Sequence, residues 1–376
     1  MTLQITVKKH LGELLIDTDL NLQSSGVTAL FGRSGAGKTS LINLVAGLQQ
    51  PDEGRIVIGD RIVFDTARHI NLAPEKRHIG YVFQGSRLFP HYTVSGNLSY
   101  GQRIKDTHQQ HVIAELLGIE HLLQRYPAAL SGGEQQRVAI GRALLSQPAM
   151  LLMDEPLASL DEPRKKELLP YIEQLAREVN IPIIYVSHSL DELLRLADQM
   201  VLMNQGKVIA HGAVADIWNS DAMLAWQPDD DISVILEAHI KQHSHRYAMS
   251  CLDLGNDLTL WTPFISAPEL SLVRMRIHAR DISLVRTPPE QSSIRNIIPV
   301  NVISSTPTNE SACLVTLQAG QHKLKASITR WAAEELGIKP GEQLFAQIKG
   351  GSISRNDQTH LQPFSALTNP YLSHKN

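Results

Sequence analysis

The stretch 32-GRSGAGKTS-40 carries the clearest chemistry in this 376-residue sequence. It matches G-x-x-x-x-G-K-[ST], a spacing suited to phosphate. Gly32, Gly35 and Gly37 let the loop wrap phosphates with backbone N–H groups, and Arg33, Ser34 and Ala36 complete it. The helix that follows adds the positive end of its dipole. Lys38 is spaced to reach β- and γ-phosphates, and the Thr39 hydroxyl, beside Ser40, to ligate Mg²⁺. A strand-like run before the loop and a helix-like run after it separate the match from a mere Gly-rich turn.

Two further stretches extend that chemistry. In 150-MLLMDEP-156 four apolar residues form a buried strand ending in Asp154, which can hold Mg²⁺ directly or through water. Glu155 follows, placed to polarise an attacking water. Alone, acids at a strand end serve equally well as solubility devices; the phosphate loop gives the pair its weight. In 130-LSGGEQQR-137 Ser131 and Glu134 have capping-box spacing ahead of a helix. The same residues, Ser131, Gly132 and Gly133, could instead form a second anion site at a helix N-terminus. One nucleotide cannot easily use two such helix ends of one chain, so this arrangement suggests two chains facing each other.

LSGGEQQR resembles the signature sequence of ATP-binding cassette (ABC) ATPases. The other family elements follow in order: Gln84 in 80-GYVFQ-84, then Ser159, Leu160 and Asp161, then His188 in 186-VSHS-189. The resemblance implies a head-to-tail dimer of two copies sandwiching two ATP molecules. Lys38 and Thr39 of one copy would face Ser131 and Gly133 of the other. Glu155 would orient the hydrolytic water, His188 would touch the γ-phosphate, and Gln84 would touch Mg²⁺ or water and report to a partner. ABC proteins often stack adenine on an early aromatic residue. Here 8-KKHLGELLI-16 has none, which leaves His10 or aliphatic side chains for the base.

The elements that must position these residues are legible. Residues 1–228 alternate β-like runs (27–31, 150–154, 182–187) with helical patterns, the mark of an α/β domain around a largely parallel sheet. Leu41, Leu44, Val45 and Leu48 recur with helical spacing on one apolar face after the phosphate loop. Residues 201–212 read as a hairpin turning near 204–206. A Pro and an acidic run in 226-WQPDDD-231 suggest a boundary. Beyond it, 229–290 read as a β-rich linker or half-barrel, 291–357 as a small β-barrel, and 358–376 as a loosely held polar tail. Strands are expected at 294–304, 312–318, 322–328 and 343–349, with one short helix at 329–337. With the ABC resemblance added, the expected fold class is an α/β P-loop NTPase of the ABC type followed by a C-terminal OB-like β-barrel region.

Composition narrows the rest. A net charge of −3 argues against a general nucleic-acid binder. Cys251 and Cys313 lack metal-type spacing and suggest reduced thiols. No signal peptide and no run of 18 apolar residues is evident, so cytoplasmic residence is the default expectation; the ABC resemblance implies a peripheral place on the cytoplasmic face of the inner membrane. A single cassette without a membrane domain favours a transporter ATPase subunit. Leu88, Phe89, Pro90, His91 and Tyr92, beside Gln84, are then the candidates to grip a permease helix; Leu88 and Phe89 could equally be ordinary core.

The barrel segments 292-SSIRNIIPVNV-302 and 326-ASITRWAAEELGIKPGEQLFAQIK-349 resemble the molybdate-binding Mop domain. Within the cassette, 74–101 and 155–175 are similar to the ATPase subunits of molybdate importers, the ModC family. That resemblance runs over about residues 1–355. It implies permease partners and, indirectly, an external molybdate-binding protein. A tetrahedral dianion needs N–H and O–H donors and a cation or two without carboxylates nearby. Ser293, Arg295, Asn296, Ser327 and Lys349, with backbone N–H groups near Ile328 and Gly350, supply that inventory for molybdate or tungstate. Arg295 and Lys349 are equally readable as solvated surface charges. The competing functions are an importer ATPase for sulfate, iron or polyamines, and a molybdate-binding regulatory protein with a vestigial ATPase.

Overall fold

A computed structural model describes residues 3–361 except Ser24, 103–104, Asn180, 351–352 and 354–357. The chain divides into two compact units between Val214 and Ala215.

Strands of the first unit are β1 (Leu3–Leu11), β2 (Leu14–Leu22), β3 (Val27–Phe31), β4 (Glu53–Ile58), β5 (Arg61–Asp65), β6 (Ile70–Asn71), β7 (Ile79–Val82), β8 (Met150–Asp154), β9 (Ile183–Val186), β10 (Gln199–Asn204) and β11 (Lys207–Ala213). They form one sheet in the order β6-β5-β4-β1-β2-β11-β10-β3-β9-β8-β7. The half from β10 to β7 is parallel, and β3, β8 and β9 are buried at every residue. Continuous apolar runs such as MLLMD suit strands covered on both faces. The outer half, β1 with β2 and β4, is antiparallel, and β1 alternates buried and exposed side chains along its first six residues.

Helices α1 (Lys38–Ala46), α2 (Val94–Tyr100), α3 (Thr107–Leu116), α4 (Gly132–Leu145), α5 (Glu162–Glu178) and α6 (Leu190–Leu196) follow the strands. Leu41, Leu44 and Val45 of α1 enter the core as their spacing predicts. Leu48 does not: the helix closes at Gly47 in a left-handed cap, and Leu48 lies beyond it, 50% exposed. The expected hairpin is present as β10 and β11, turning at Gln205–Gly206.

The second unit begins earlier than the acidic run suggested. After α7 (Val214–Trp218) and α8 (Asp221–Leu224), β12 (Ser233–Ser244) starts a five-stranded sheet. The Trp218 indole N–H donates to Ser233 O, the Asn219 amide pairs with the backbone of Ile235, and the Gln227 side chain accepts from Ser233 N. These bonds bind residues 215–228 to β12, which moves the division from 228 to 214.

The sheet order is β14 (Leu258–Pro263), β13 (Met249–Gly255), β12, β15 (Leu272–His278), β21 (Gln358–Leu361). A second sheet runs β16 (Ile282–Val285), β20 (Gln343–Ile348), β17 (Asn296–Pro307), β18 (Ala312–Ala319), β19 (His322–Thr329), with α9 (Arg330–Glu335) between β19 and β20. One apolar core holds side chains of both sheets, among them Leu236, Met275, Val300, Val315 and Leu344. The segment 229–290 is therefore half of one core rather than a linker. Residues 358–361, expected in a loose tail, pair with β15; the tail from 362 lies outside the described residues.

Candidate functional site

The phosphate loop sits between β3 and α1, where the central parallel strands end. Gly37 caps α1 with φ +96°, and a Cβ there would lie 2.4 Å from Ile16 Cδ1. Gly35 also has φ +80°, but a Cβ at that position would meet nothing within 4 Å. The loop is thus closed against the core at Gly37 and open at Gly35, toward a pocket of about 190 Å³. That pocket is lined by residues 34–40, Leu14 and Glu155. Lys38 is 5% exposed, and its ammonium donates to Gly32 O at 2.8 Å and Arg33 O at 3.2 Å. Burial pushes its pKa down, and the nearby Glu155 and Asp154 carboxylates oppose that shift. A desolvated cation tethered to two carbonyls gains strongly from a phosphate oxygen in their place.

Thr39 Oγ1 donates to Asp154 Oδ1 at 3.0 Å, so β8 delivers its terminal carboxylate directly to the first turn of α1. Burial raises the Asp154 pKa, partly offset by the Thr39 hydrogen bond. A hydroxyl and a carboxylate side by side are hard oxygen donors, and with waters and phosphate they fit Mg²⁺. Glu155 sits at φ +45°, a left-handed conformation unusual for a residue with a side chain, and its N–H donates to Val186 O at 3.0 Å. The bend aims Glu155 into the pocket, 3.4 Å from His188 Nδ1. His188 is largely exposed. Gln84 lies exposed just past β7.

Ser131, Gly132 and Gly133 do not line this pocket. Ser131 is exposed and caps α4: its hydroxyl accepts from Glu134 N at 3.3 Å, and its own N–H donates to Glu134 Oε2 at 2.7 Å. Asp161 is exposed too and caps α5 by accepting from Arg164 N. Both residues serve caps within their own chain, and both keep a face toward solvent. The patch beside Gln84 is half-buried at Leu88 and Phe89 and exposed at Pro90, His91 and Tyr92. Phe89 packs on Tyr100 at 4.4 Å and is pinned by the Asn97 amide, which bonds both its N–H and its carbonyl.

Four supporting contacts escaped sequence reasoning. Tyr81 Oη lies 2.9 Å from Asn43 Oδ1 and 3.4 Å from Asp154 Oδ2. Gln136 Nε2 donates to Phe83 O at 3.2 Å and so ties the LSGGEQQR helix to the residue before Gln84. Arg77, 2% exposed, donates to Leu44 O and Val45 O at the carbonyl end of α1. Glu192 accepts from Tyr185 Oη at 2.8 Å and Ser187 Oγ at 2.7 Å, bracing the turn that carries His188. The Ser189-x-x-Glu192 spacing was the available signal for the last of these. Of the two alternatives for the base, the aliphatic one lies at the pocket: Leu14 lines it, whereas His10 lies at Asp52, whose carboxylate accepts from His10 N at 2.8 Å.

In the second unit the oxyanion candidates divide. Asn296 is 2% exposed, and its amide both accepts from Trp261 N at 2.7 Å and donates to Trp261 O at 2.9 Å. Both ends of that amide staple two strands, which commits its oxygen and one of its two N–H donors to the backbone of Trp261. Ser293, Arg295 and Lys349 are exposed, and Arg295 and Lys349 flank the Asn296↔Ile348 pair at one end of the β17–β20 ladder. Ser327 pairs with Leu314, which pairs with Thr306 toward the far end of β17; the ladder register does not bring it to that group.

The ABC transporter family model matches residues 15–158, and the TOBE domain model matches residues 292–354. A protein of Photobacterium profundum named "Molybdenum import ATP-binding protein ModC" is 52% identical over 358 residues, 94% of this chain and 99% of its own. A protein of the same name from Pectobacterium atrosepticum is 53% identical over 353 residues, with 94% and 99% covered. Among solved structures, a nucleotide-free ATP-binding cassette from an ABC transporter aligns with TM-score 0.51 at 25% identity, over 59% of this chain and 97% of its own. A component of the ABC transporter complex cbiONQ of Clostridium perfringens aligns with TM-score 0.52 at 25% identity, over 60% and 93%.

Proposed function

The chain belongs to the ModC family of molybdenum-import ATP-binding proteins, and from that premise we infer that it hydrolyses ATP to energise molybdate import through a membrane ABC transporter. The observation that carries this reading is near-full-length similarity to such proteins in a chain whose Lys38, Thr39 and Glu155 line one pocket, with Asp154 bonded to Thr39 and His188 beside Glu155. Relatives named for molybdenum disfavour sulfate, iron or polyamine as cargo. An intact hydrolytic set disfavours a purely regulatory protein.

In this mechanism the loop amides from Gly32 to Gly37 surround the phosphates, and Lys38 exchanges its two carbonyls for the β- and γ-oxygens. Thr39 and Asp154, with Gln84, would hold Mg²⁺, which would supply charge stabilisation to the transferred phosphoryl group. Glu155 accepts a hydrogen bond from the attacking water and orients it in line. His188 contacts the γ-phosphate, held over Glu155 by the Glu192-braced turn. Leu14 packs against the nucleotide where no aromatic ring is present.

A second copy supplies Ser131 and Gly133 to the γ-phosphate, with Asp161 at the seam. The dimer docks on permease subunits of the inner membrane through Phe89, His91 and Tyr92, on the cytoplasmic face. An external molybdate-binding protein delivers cargo to the far side. No helix among the described residues is long and apolar enough to cross a membrane. Ser293, Arg295 and Lys349 in the second unit bind molybdate or tungstate and restrain turnover when the anion is abundant.

Glu155→Gln tests the hydrolytic core. It should keep ATP affinity, trap an ATP-bound dimer visible by size-exclusion chromatography, and lower turnover by about 10²-fold or more. Turnover at the wild-type level would remove Glu155 from its role.

A further inference from the structure

Tyr81 lies on β7, three residues before Gln84, and its ring stacks on Phe83 with centroids 4.2 Å apart. Its hydroxyl stands between two acceptors: Asn43 Oδ1 on α1 at 2.9 Å and Asp154 Oδ2 on β8 at 3.4 Å. A phenol has one proton to give. With Asp154 Oδ1 taken by Thr39, Oδ2 is the carboxylate's other oxygen, and the phenol is its neighbour. Carboxylates that ligate metals are commonly fixed by a donor on their outer oxygen, which sets rotamer and basicity.

We propose that Tyr81 is a positioning residue for the metal end of the site: its hydroxyl donates to the outer oxygen of Asp154 and holds the inner oxygen toward Thr39. The proposal rests on Asp154 being the Mg²⁺ ligand. Moving the proton from Asn43 to Asp154 needs only rotation of the phenol O–H, so the carboxylate can gain its donor when a cation binds. The half-buried ring and its stacking on Phe83 fix the hydroxyl without help from Asn43.

The test uses the full chain, a non-hydrolysable ATP analogue, and Mn²⁺ as the probe, with free Mn²⁺ read by electron paramagnetic resonance. Tyr81→Phe keeps the ring and removes the proton. It should weaken Mn²⁺ binding about tenfold, leave metal-free nucleotide affinity unchanged, and regain turnover at high Mg²⁺. Asn43→Ala should bind Mn²⁺ like the wild type. Wild-type Mn²⁺ affinity in Tyr81→Phe would overturn the proposal, as would an equal loss in Asn43→Ala, which would make Tyr81 a strut to α1. Asp154→Asn separates the premise: unchanged Mn²⁺ affinity there would refute Asp154 as ligand, whatever Tyr81 does.

Discussion

Asp154 illustrates at the scale of one residue how function is held against stability. Burial lifts its pKa, so the folded chain binds its proton more tightly than the unfolded chain does. Stability therefore falls as pH rises through the window from the ordinary carboxylate value, about 3.9, up to the raised one, and stays lower above it. Asp154→Asn should accordingly raise the melting temperature of the nucleotide-free protein at neutral pH, with the gain vanishing below about pH 4. A melting curve with and without MgATP checks this: the variant should also lose stabilisation by the nucleotide, and a lower neutral-pH melting temperature would contradict it. Asp154, Glu155 and Lys38 were legible in the sequence because local spacing defines them. Leu14 was legible only as one of several aliphatic residues in 8–16, and Tyr81 was not: it reaches the site through strand register and packing across the sheet, which no local pattern records.

Caps and staples decide the matter at the scale of elements. Ser131 is both the cap of α4 and the proposed contact to the second copy's nucleotide. Ser131→Asp should keep the cap, since Asp caps about as well as Ser, and hold the melting temperature. Its charge should nevertheless abolish ATP-driven dimerisation, read by light scattering; persistence of the dimer would confine Ser131 to capping. In the second unit Asn296→Ala should cost about 1–3 kcal/mol of stability, because two part-buried backbone groups of Trp261 lose their partner. Arg295→Ala should leave melting unchanged and reduce molybdate binding measured by calorimetry. Binding that ignores Arg295 would assign it to the solvated surface. Alternation and turn residues made the strands from 296 to 348 legible nearly to the residue. Which side chains staple them was not, since Ser-x-Arg-Asn reads equally as a ligand set and as a strand entry.

At the scale of the whole molecule, the sequence divides at 228 and the structure at 214, because Trp218, Asn219 and Gln227 make their bonds to β12. A Pro and three Asp mark a turn there, not a domain edge. The pairing of β21 with β15 was equally invisible, being a contact between segments about eighty residues apart. The catalytic half touches nucleotide and not cargo, so cargo is tested only in the assembled transporter. The decisive measurement is ATP turnover in vesicles holding this chain with its co-purifying permease and that permease's external binding protein, as oxyanions are added outside. Molybdate should stimulate turnover and enter the vesicles, while sulfate should do neither. Stimulation by sulfate with molybdate inert would contradict the assignment.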